Sequence, residues 1–152
     1  MLKSDKLLDT LINIERLIFA DYTVDVSKSS PTNDTVYLIY KAAFGRAPDV
    51  AGFEFWTSSA DSKGYTATDL AGFFSKSTEF INLVGENPSN GHYLAKLYNN
   101  ILGRPSDLVG EAYWTDQLNN GTSKDLVLAS FALSPENIKV TESFTKDGYW
   151  LL

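Results

Sequence analysis

The chain reads as all-α: a single compact domain of two related multi-helix repeats, with a short β-hairpin foreseen near the N-terminus. Three observations predict this. The stretch YKAAFGRAPDVAGFEFW (residues 40–56) returns as YNNILGRPSDLVGEAYW (98–114), 58 positions later and without a gap. Six of the 17 positions are identical: Tyr40/Tyr98, Gly45/Gly103, Arg46/Arg104, Asp49/Asp107, Gly52/Gly110 and Trp56/Trp114. Random pairing gives about one, so the chain carries an internal duplication. Both copies also lie in apolar patterns of helical period, broken by residues that start and stop helices. Finally, 43% hydrophobic and 13% aromatic content is enough to bury a core.

Within the first repeat, Ser30-Pro31-Thr32-Asn33-Asp34 signals a helix start, and Val36, Tyr37, Tyr40 and Phe44 then share one face. Gly45 follows the last apolar residue, where a left-handed glycine ends a helix. Asp49 fits an N-cap, its carboxylate accepting from the free amides of the next helix. Gly52 stands one turn inside, where a missing side chain lets another helix approach. Trp56, a further turn on, is expected to be a buried anchor.

After the tryptophans the match resumes with a two-residue gap: TATDL (66–70) answers TSKDL (122–126), and SKSTEF (75–80) answers ALSPEN (132–137). Thr66 with Asp69 has the spacing of a capping box, which Thr122 with Asp125 repeats. The fourth helices start at Ser77 and Ser134, with Pro135 in a first turn where its missing N–H costs nothing. The loop GENPSNG (85–91) divides the halves but is too short for a flexible linker.

The domains are therefore drawn as an N-terminal segment (1–30), a duplicated helical module (31–145, repeats at about 31–86 and 91–145) and a tail (146–152). Residues 14–19 and 23–26 flank ADY as a hairpin would, whereas Leu7, Leu8, Leu11 and Ile12 have helical spacing. The tail, TKDGYWLL, has Gly148 as a turn and an apolar end that must dock or stay exposed.

The composition excludes several function classes. With 13 basic and 19 acidic residues, the net charge of −6 and the absence of a basic stripe argue against nucleic acid as a partner. There is no cysteine, so disulfides and thiolate metal sites are ruled out. No apolar run approaches the ~18 residues of a membrane span. The N-terminus carries Asp5, Asp9 and Glu15 within its apolar stretch, unlike a signal peptide or anchor.

His92 is the single histidine, so no histidine dyad or multi-histidine metal site can form, and a loop-to-helix position is expected for it. Neither a nucleophile elbow nor a phosphate-cradling Gly-Lys-Ser/Thr motif occurs. Glu54, Glu79, Glu111 and Glu136 are the carboxylates that a paired-carboxylate hydrolase would draw on. Arg46 and Arg104 suit either an acidic ligand or a structural role, bonding the carbonyls that end one helix and the Asp that caps the next. The structural role is expected. Asp49 and Asp107 offer one carboxylate per loop, well short of the 6–8 oxygens of calcium, so capping is expected of them. Tyr40, Trp56, Tyr98 and Trp114 could stack a sugar, yet at helical spacing such aromatics belong to a core. A sugar platform would need two or more of Tyr22, Tyr65, Tyr93, Tyr113, Tyr149 and Trp150 exposed together.

The stretch LYNNILGRPSDLVGEAYWTDQLNNG (97–121) resembles the signature of domain-of-unknown-function family 4214 and, more distantly, the linker domain of phycobilisomes. SFALSPEN is similar to the Phe-x-x-Ser-x-Glu element that follows in that family, and DTLINIERLIFADYTVDVS (9–27) to the segment that often precedes it. That preceding segment commonly closes a Gly- and Asp-rich calcium-binding β-roll. Three departures stand out: Tyr22 in place of Gly, a longer SADSKGYT loop, and Ser106 in place of Pro. The resemblance implies a helical module of exported bacterial proteins: adhesins, surface-layer proteins, hydrolases and toxins of type I secretion. It implies an extracellular or cell-surface setting, and any calcium would bind in an upstream β-roll.

The expected function is a non-enzymatic interaction or scaffolding module with no cofactor of its own, whose partner is a protein or a cell-surface glycan. The alternatives are a carbohydrate-binding module of an adhesin and an accessory domain of a secreted hydrolase. The partner-binding positions expected are those where the two halves do not match: Tyr65 in the first repeat's loop, and Tyr149 and Trp150 in the tail. On that view, deleting residues 146–152 leaves the helical body folded.

Overall fold

The computed structural model describes residues 15–26 and 30–152. The helical reading of Leu7, Leu8, Leu11 and Ile12 lies outside those residues. Among the described residues the fold is eight helices and a small antiparallel sheet. The first repeat comprises α1 (Pro31–Phe44), α2 (Val50–Lys63), α3 (Ala67–Ser75) and α4 (Thr78–Val84). The second comprises α5 (Asn90–Leu102), α6 (Leu108–Asn119), α7 (Lys124–Ala132) and α8 (Pro135–Thr141), followed by a 3-10 turn at Glu142–Phe144.

Short polar side chains set the helix starts. Ser30, Asp49, Thr66, Ser77, Ser89, Asp107, Ser123 and Ser134 each accept a bond from the backbone N–H three residues on. Each satisfies an amide that its helix cannot. Ser30-Pro31, Asp49, Asp107, Ser77 and Ser134 thus act as the sequence suggests, and Thr66 with Asp69 closes a reciprocal capping box. Exposed His92 is the residue whose backbone N–H reaches the Ser89 cap, the loop-to-helix position expected of it.

The second capping box does not form. Ser123 is the cap of α7, and Thr122 instead donates to Gln117. The repeats therefore match at 57 residues after the tryptophans: Thr66 with Ser123, Phe74 with Phe131, Ser77 with Ser134 and Glu79 with Glu136. Asp125, freed from capping, crosses to the other repeat. Its carboxylate accepts from Ser75 Oγ at 2.8 Å, at the α3–α7 contact. A Cβ on Gly72 would lie 3.1 Å from Asp125 Oδ2, so the glycine leaves room for this crossing.

The core runs through both halves. Val36, Tyr37, Ile39, Leu70 and Phe74 of the first pack with Leu94, Leu97, Val127 and Leu128 of the second. The expected hairpin forms from β1 (Arg16–Ile18) and β2 (Thr23–Asp25). The tail supplies β3 (Tyr149–Leu151), antiparallel to β2, with Val24 opposite Trp150 and Asp25 opposite Tyr149. The N-terminal segment and the tail, drawn separately from sequence, thus share one sheet.

That sheet covers the first repeat. The Tyr37 hydroxyl donates to the Trp150 carbonyl at 2.8 Å, and the Leu152 N–H to the Pro48 carbonyl at 2.9 Å. Tyr149 packs on Phe53, with ring centroids 5.0 Å apart, and both are buried. Gly148 has a φ of 127°, and a Cβ there would come within 2.7 Å of the Asp25 carbonyl oxygen. No other residue suits the turn into β3.

Candidate functional site

The duplicated motif builds two equivalent corners. At each, a glycine in the left-handed region ends the first helix, Gly45 at φ 70° and Gly103 at φ 64°. The following arginine turns back across the corner. Arg46 donates to both carboxylate oxygens of Glu79, at 2.8 and 3.0 Å, and to the Ala47 carbonyl. Arg104 does the same to Glu136, at 2.7 and 3.0 Å, and to the Pro105 carbonyl. Both guanidiniums also lie over a tyrosine ring, Tyr40 at 5.2 Å and Tyr98 at 5.3 Å.

The capping aspartates complete each corner. Asp49 accepts from the Gly52 N–H at 2.8 Å and Asp107 from the Gly110 N–H at 2.9 Å. These backbone bonds are the main reason that both carboxyls are held below the usual aspartate range. Glu136 is likewise lowered, chiefly by its bond from Arg104. Burial pushes the Tyr40 and Tyr98 hydroxyls up. The glycines one turn in make room for those tyrosines: a Cβ on Gly52 would sit 3.2 Å from the Tyr40 hydroxyl oxygen, and one on Gly110 would overlap that of Tyr98.

The arginines therefore have the structural role expected of them, and in part the expected partners: Arg104 donates to the capping Asp107 at 3.3 Å, and Arg46 lies 3.9 Å from Asp49. The carbonyl each one reaches belongs to the residue after it, and does not end the helix. The principal partner is a glutamate about 32 residues on, in α4 or α8. The signal for it lies in Phe74-x-x-Ser77-x-Glu79 and Phe131-x-x-Ser134-x-Glu136, a second element common to both repeats. A fork of donors held against two carboxylate oxygens fixes an angle between helices, and each guanidinium is occupied.

The tryptophans occupy equivalent places but are half-buried, not the buried anchors expected. Trp56 meets the Phe74 ring edge-on at 4.9 Å, and Trp114 meets Phe131 at 5.4 Å. Each sits at the mouth of its corner, with one side left to the surface.

The carboxylates that a hydrolase would need do not converge. Glu79 and Glu136 bind their arginines, Glu54 pairs with Arg16 in β1, and Glu111 accepts from Ser106 at 2.6 Å. Among the described residues, no cluster of three or more His, Cys, Asp or Glu could hold a metal ion.

The expected partner-binding residues divide. Tyr149 is buried in the core and cannot meet a partner, which corrects the reading of the tail as a free surface. Leu151 is fully buried beside it, so the tail is part of the packed body. Tyr65 is half-buried against Phe73 at 4.9 Å. Trp150 alone of the three remains at the surface, 37% exposed and stacked on Tyr22 at 4.8 Å, while Phe19 stacks on Tyr22 at 4.5 Å. Of the other sugar-platform tyrosines, Tyr93 is buried and Tyr113 is exposed on α6.

Helix α6 presents the surface that sequence reasoning missed. Leu108 is 88% and Val109 80% exposed, with Tyr113 a turn further on. Their counterparts in α2 are Val50, Ala51 and Phe55: Val50 packs against the core beside Phe53, which Tyr149 roofs, whereas Ala51 and Phe55 are exposed as well. The duplication held this signal, because Phe53 answers to Glu111 and Tyr37 to Ala95. Those exchanges remove the aromatic seat on which the sheet rests in the first repeat.

A family model described as "Domain of unknown function (DUF4214)" matches the chain twice, over residues 20–84 and 71–141. No curated protein matches it.

Proposed function

The chain belongs to the DUF4214 family, and we propose that it serves there as a non-enzymatic interaction module whose binding face is the outer side of α6. One observation carries this reading: Leu108 is bare where its counterpart Val50 is packed against the core beside the sheet-covered Phe53, and Val109 and Tyr113 continue the apolar surface around the helix. Leucine and valine at more than three-quarters exposure, side by side on a helix, are costly to leave in water and mark a contact surface. The motif residues support the same reading, since each one caps, clamps or makes room at a corner.

A protein surface is the partner that this apolar helix face fits best. A glycan finds less to hold, because Tyr22 and Trp150 spend ring surface on each other and on Phe19. The setting we propose, outside the cell or on its surface, rests on the resemblance of the motif to modules of exported bacterial proteins.

The test is site-specific photo-crosslinking in a bacterium producing the protein. A benzophenone side chain at Leu108 should give discrete protein adducts, and one at Val50, the same place in the first repeat and packed against the core, should not. Absence of adducts at Leu108, together with turnover of glycoside or ester substrates by the purified chain, would overturn the reading.

A further inference from the structure

Among the differences between the two corners, which include Phe44 against Leu102, one leaves a space beside the tryptophan. In the first repeat, Phe73 of α3 lies over the Trp56 ring, with centroids 5.6 Å apart and planes within 29°. The matching residue of α7 is Ser130. Its small side chain leaves a cavity of about 130 Å³ beside Trp114, walled by Tyr98, Leu102, Phe131 and Ser130, with the Arg104–Glu136 pair at its edge. An apolar cavity of about 150 Å³ is known to take up benzene. The space therefore has the size of one aromatic ring.

We propose that this cavity is a docking pocket for a single aromatic side chain of a partner polypeptide, the ring taking the place over Trp114 that Phe73 takes over Trp56. The inference names a partner chemistry for the interaction module and rests on that reading. The molecule itself shows what such an occupant looks like: the other corner has the same tryptophan, tyrosine, phenylalanine, arginine and glutamate, and there a benzyl group fills the space.

The polar groups around the pocket favour a ring over a sugar or an ion. Ser130 Oγ donates to the Leu126 carbonyl at 2.8 Å. Ser134 Oγ accepts from the Asn137 N–H as the cap of α8. Arg104 is engaged by both oxygens of Glu136, so the two charges offset each other at the edge. A sugar would bring several hydroxyls to walls whose hydrogen-bonding groups are largely committed, whereas a ring needs contact area and a face to stack on.

The experiment uses the whole chain, ¹⁵N-labelled, titrated with N-acetyl-phenylalaninamide. The indole N–H signals of Trp56, Trp114 and Trp150 are assigned by single substitutions. The signal of Trp114 should move with millimolar affinity while that of Trp56 stays. Ser130→Phe, which supplies the ring internally, should weaken the binding by about tenfold or more. Ser130→Leu serves the same purpose if the phenylalanine variant is poorly folded, and Phe73→Ser should transfer sensitivity to Trp56. N-acetyl-leucinamide should act more weakly than the aromatic probe. The pocket inference is overturned if Trp114 does not respond, if the response survives filling at Ser130, or if methyl glucoside moves Trp114 in place of the aromatic probe. If Trp114 fails to respond while Leu108 adducts persist, this inference alone falls.

Discussion

The Tyr149 hydroxyl donates to Asp34 Oδ1 at 2.6 Å, tying the last strand of the chain to the first turn of α1. Tyr149 is 1% exposed, and its ring lies against both Tyr37 and Phe53. A bond to an ionised acceptor contributes about 1.5–3 kcal/mol. Tyr149→Phe should therefore lower stability by roughly that amount in urea unfolding. Deleting residues 146–152 should do more, loosening the hairpin and exposing Phe53, contrary to the view of the tail as dispensable. An unaltered melting temperature after the deletion would refute this.

Gly110 and Tyr98 should be coupled. Gly110→Ala places a carbon on the Tyr98 hydroxyl, and overpacking of this kind costs about 1–3 kcal/mol. Gly52→Ala should cost less, because its closest contacts are 3.2 Å. Adding Tyr98→Phe should recover part of the loss in Gly110→Ala, giving a clear interaction energy in a double-mutant cycle. Equal, additive losses would mean that the glycine is there for another reason.

Capping by Asp49 rests mainly on a side-chain acceptor, which asparagine also supplies, with the charge adding a smaller share that acid removes. Asp49→Asn should be close to neutral and Asp49→Ala should lose about 0.5–2 kcal/mol. Calcium should leave the melting temperature of all three chains nearly unchanged. A calcium-dependent rise that the asparagine variant abolishes would make Asp49 a ligand.

Acid should weaken both corners. Asp49, Asp107 and Glu136 have folded-state values below their ordinary 3.8, 3.8 and 4.5. Their contribution is therefore complete above those ordinary values and is lost as pH falls through the lower folded-state ones. Thermal unfolding should be insensitive to these groups from neutrality down to about pH 5 and should drop steadily below about pH 4. Asp107→Asn should flatten the drop, since its bond from Gly110 no longer depends on ionisation. An acid profile unchanged in that variant would assign the effect elsewhere.

The half-buried tryptophans should cost less to truncate than the about 3–5 kcal/mol of a fully buried large aromatic. Trp56→Ala should cost more than Trp114→Ala, because Trp56 touches Phe55, Phe73 and Phe74 while Trp114 touches Tyr113 and Phe131. Iodide should quench Trp114 more readily than Trp56 in variants that keep one tryptophan. The reverse order would remove the basis for an open pocket at Trp114.

Much of the architecture could be read from local chemistry. Caps such as Asp49 and Ser134 and stops such as Gly45 act within one turn, so their residue types and spacing suffice. Gly52 could be recognised as a place of close approach, although the approaching atom, the Tyr40 hydroxyl, could not. Contacts distant in sequence were harder to see. Tyr149, Trp150 and Leu151 form a strand only because residues more than a hundred positions earlier offer an edge, and three residues are too few to show alternation. Thr122 matched Thr66 by letter, yet the cap moved to Ser123 because the register of the repeats slips by one after the tryptophans. The bare face of α6 emerged from comparing exchanged residues, Phe53 with Glu111 and Tyr37 with Ala95, once the sheet had shown what those aromatics support.

The sheet also determines how the module would bear a load. Strand β1 runs antiparallel to β2 and β2 to β3, so β1 and β3 run the same way. The chain enters at the Arg16–Tyr149 end of the sheet and leaves at the Ile18–Leu151 end. Tension applied at residues 15 and 152 would pull the strands lengthwise past one another, straining their backbone bonds together and not one after another as in unzipping. The two helical repeats hang outside that line of force. A module joined in series within a long, stretched polypeptide could thus transmit tension through three short strands and keep the bare face of α6 folded and available.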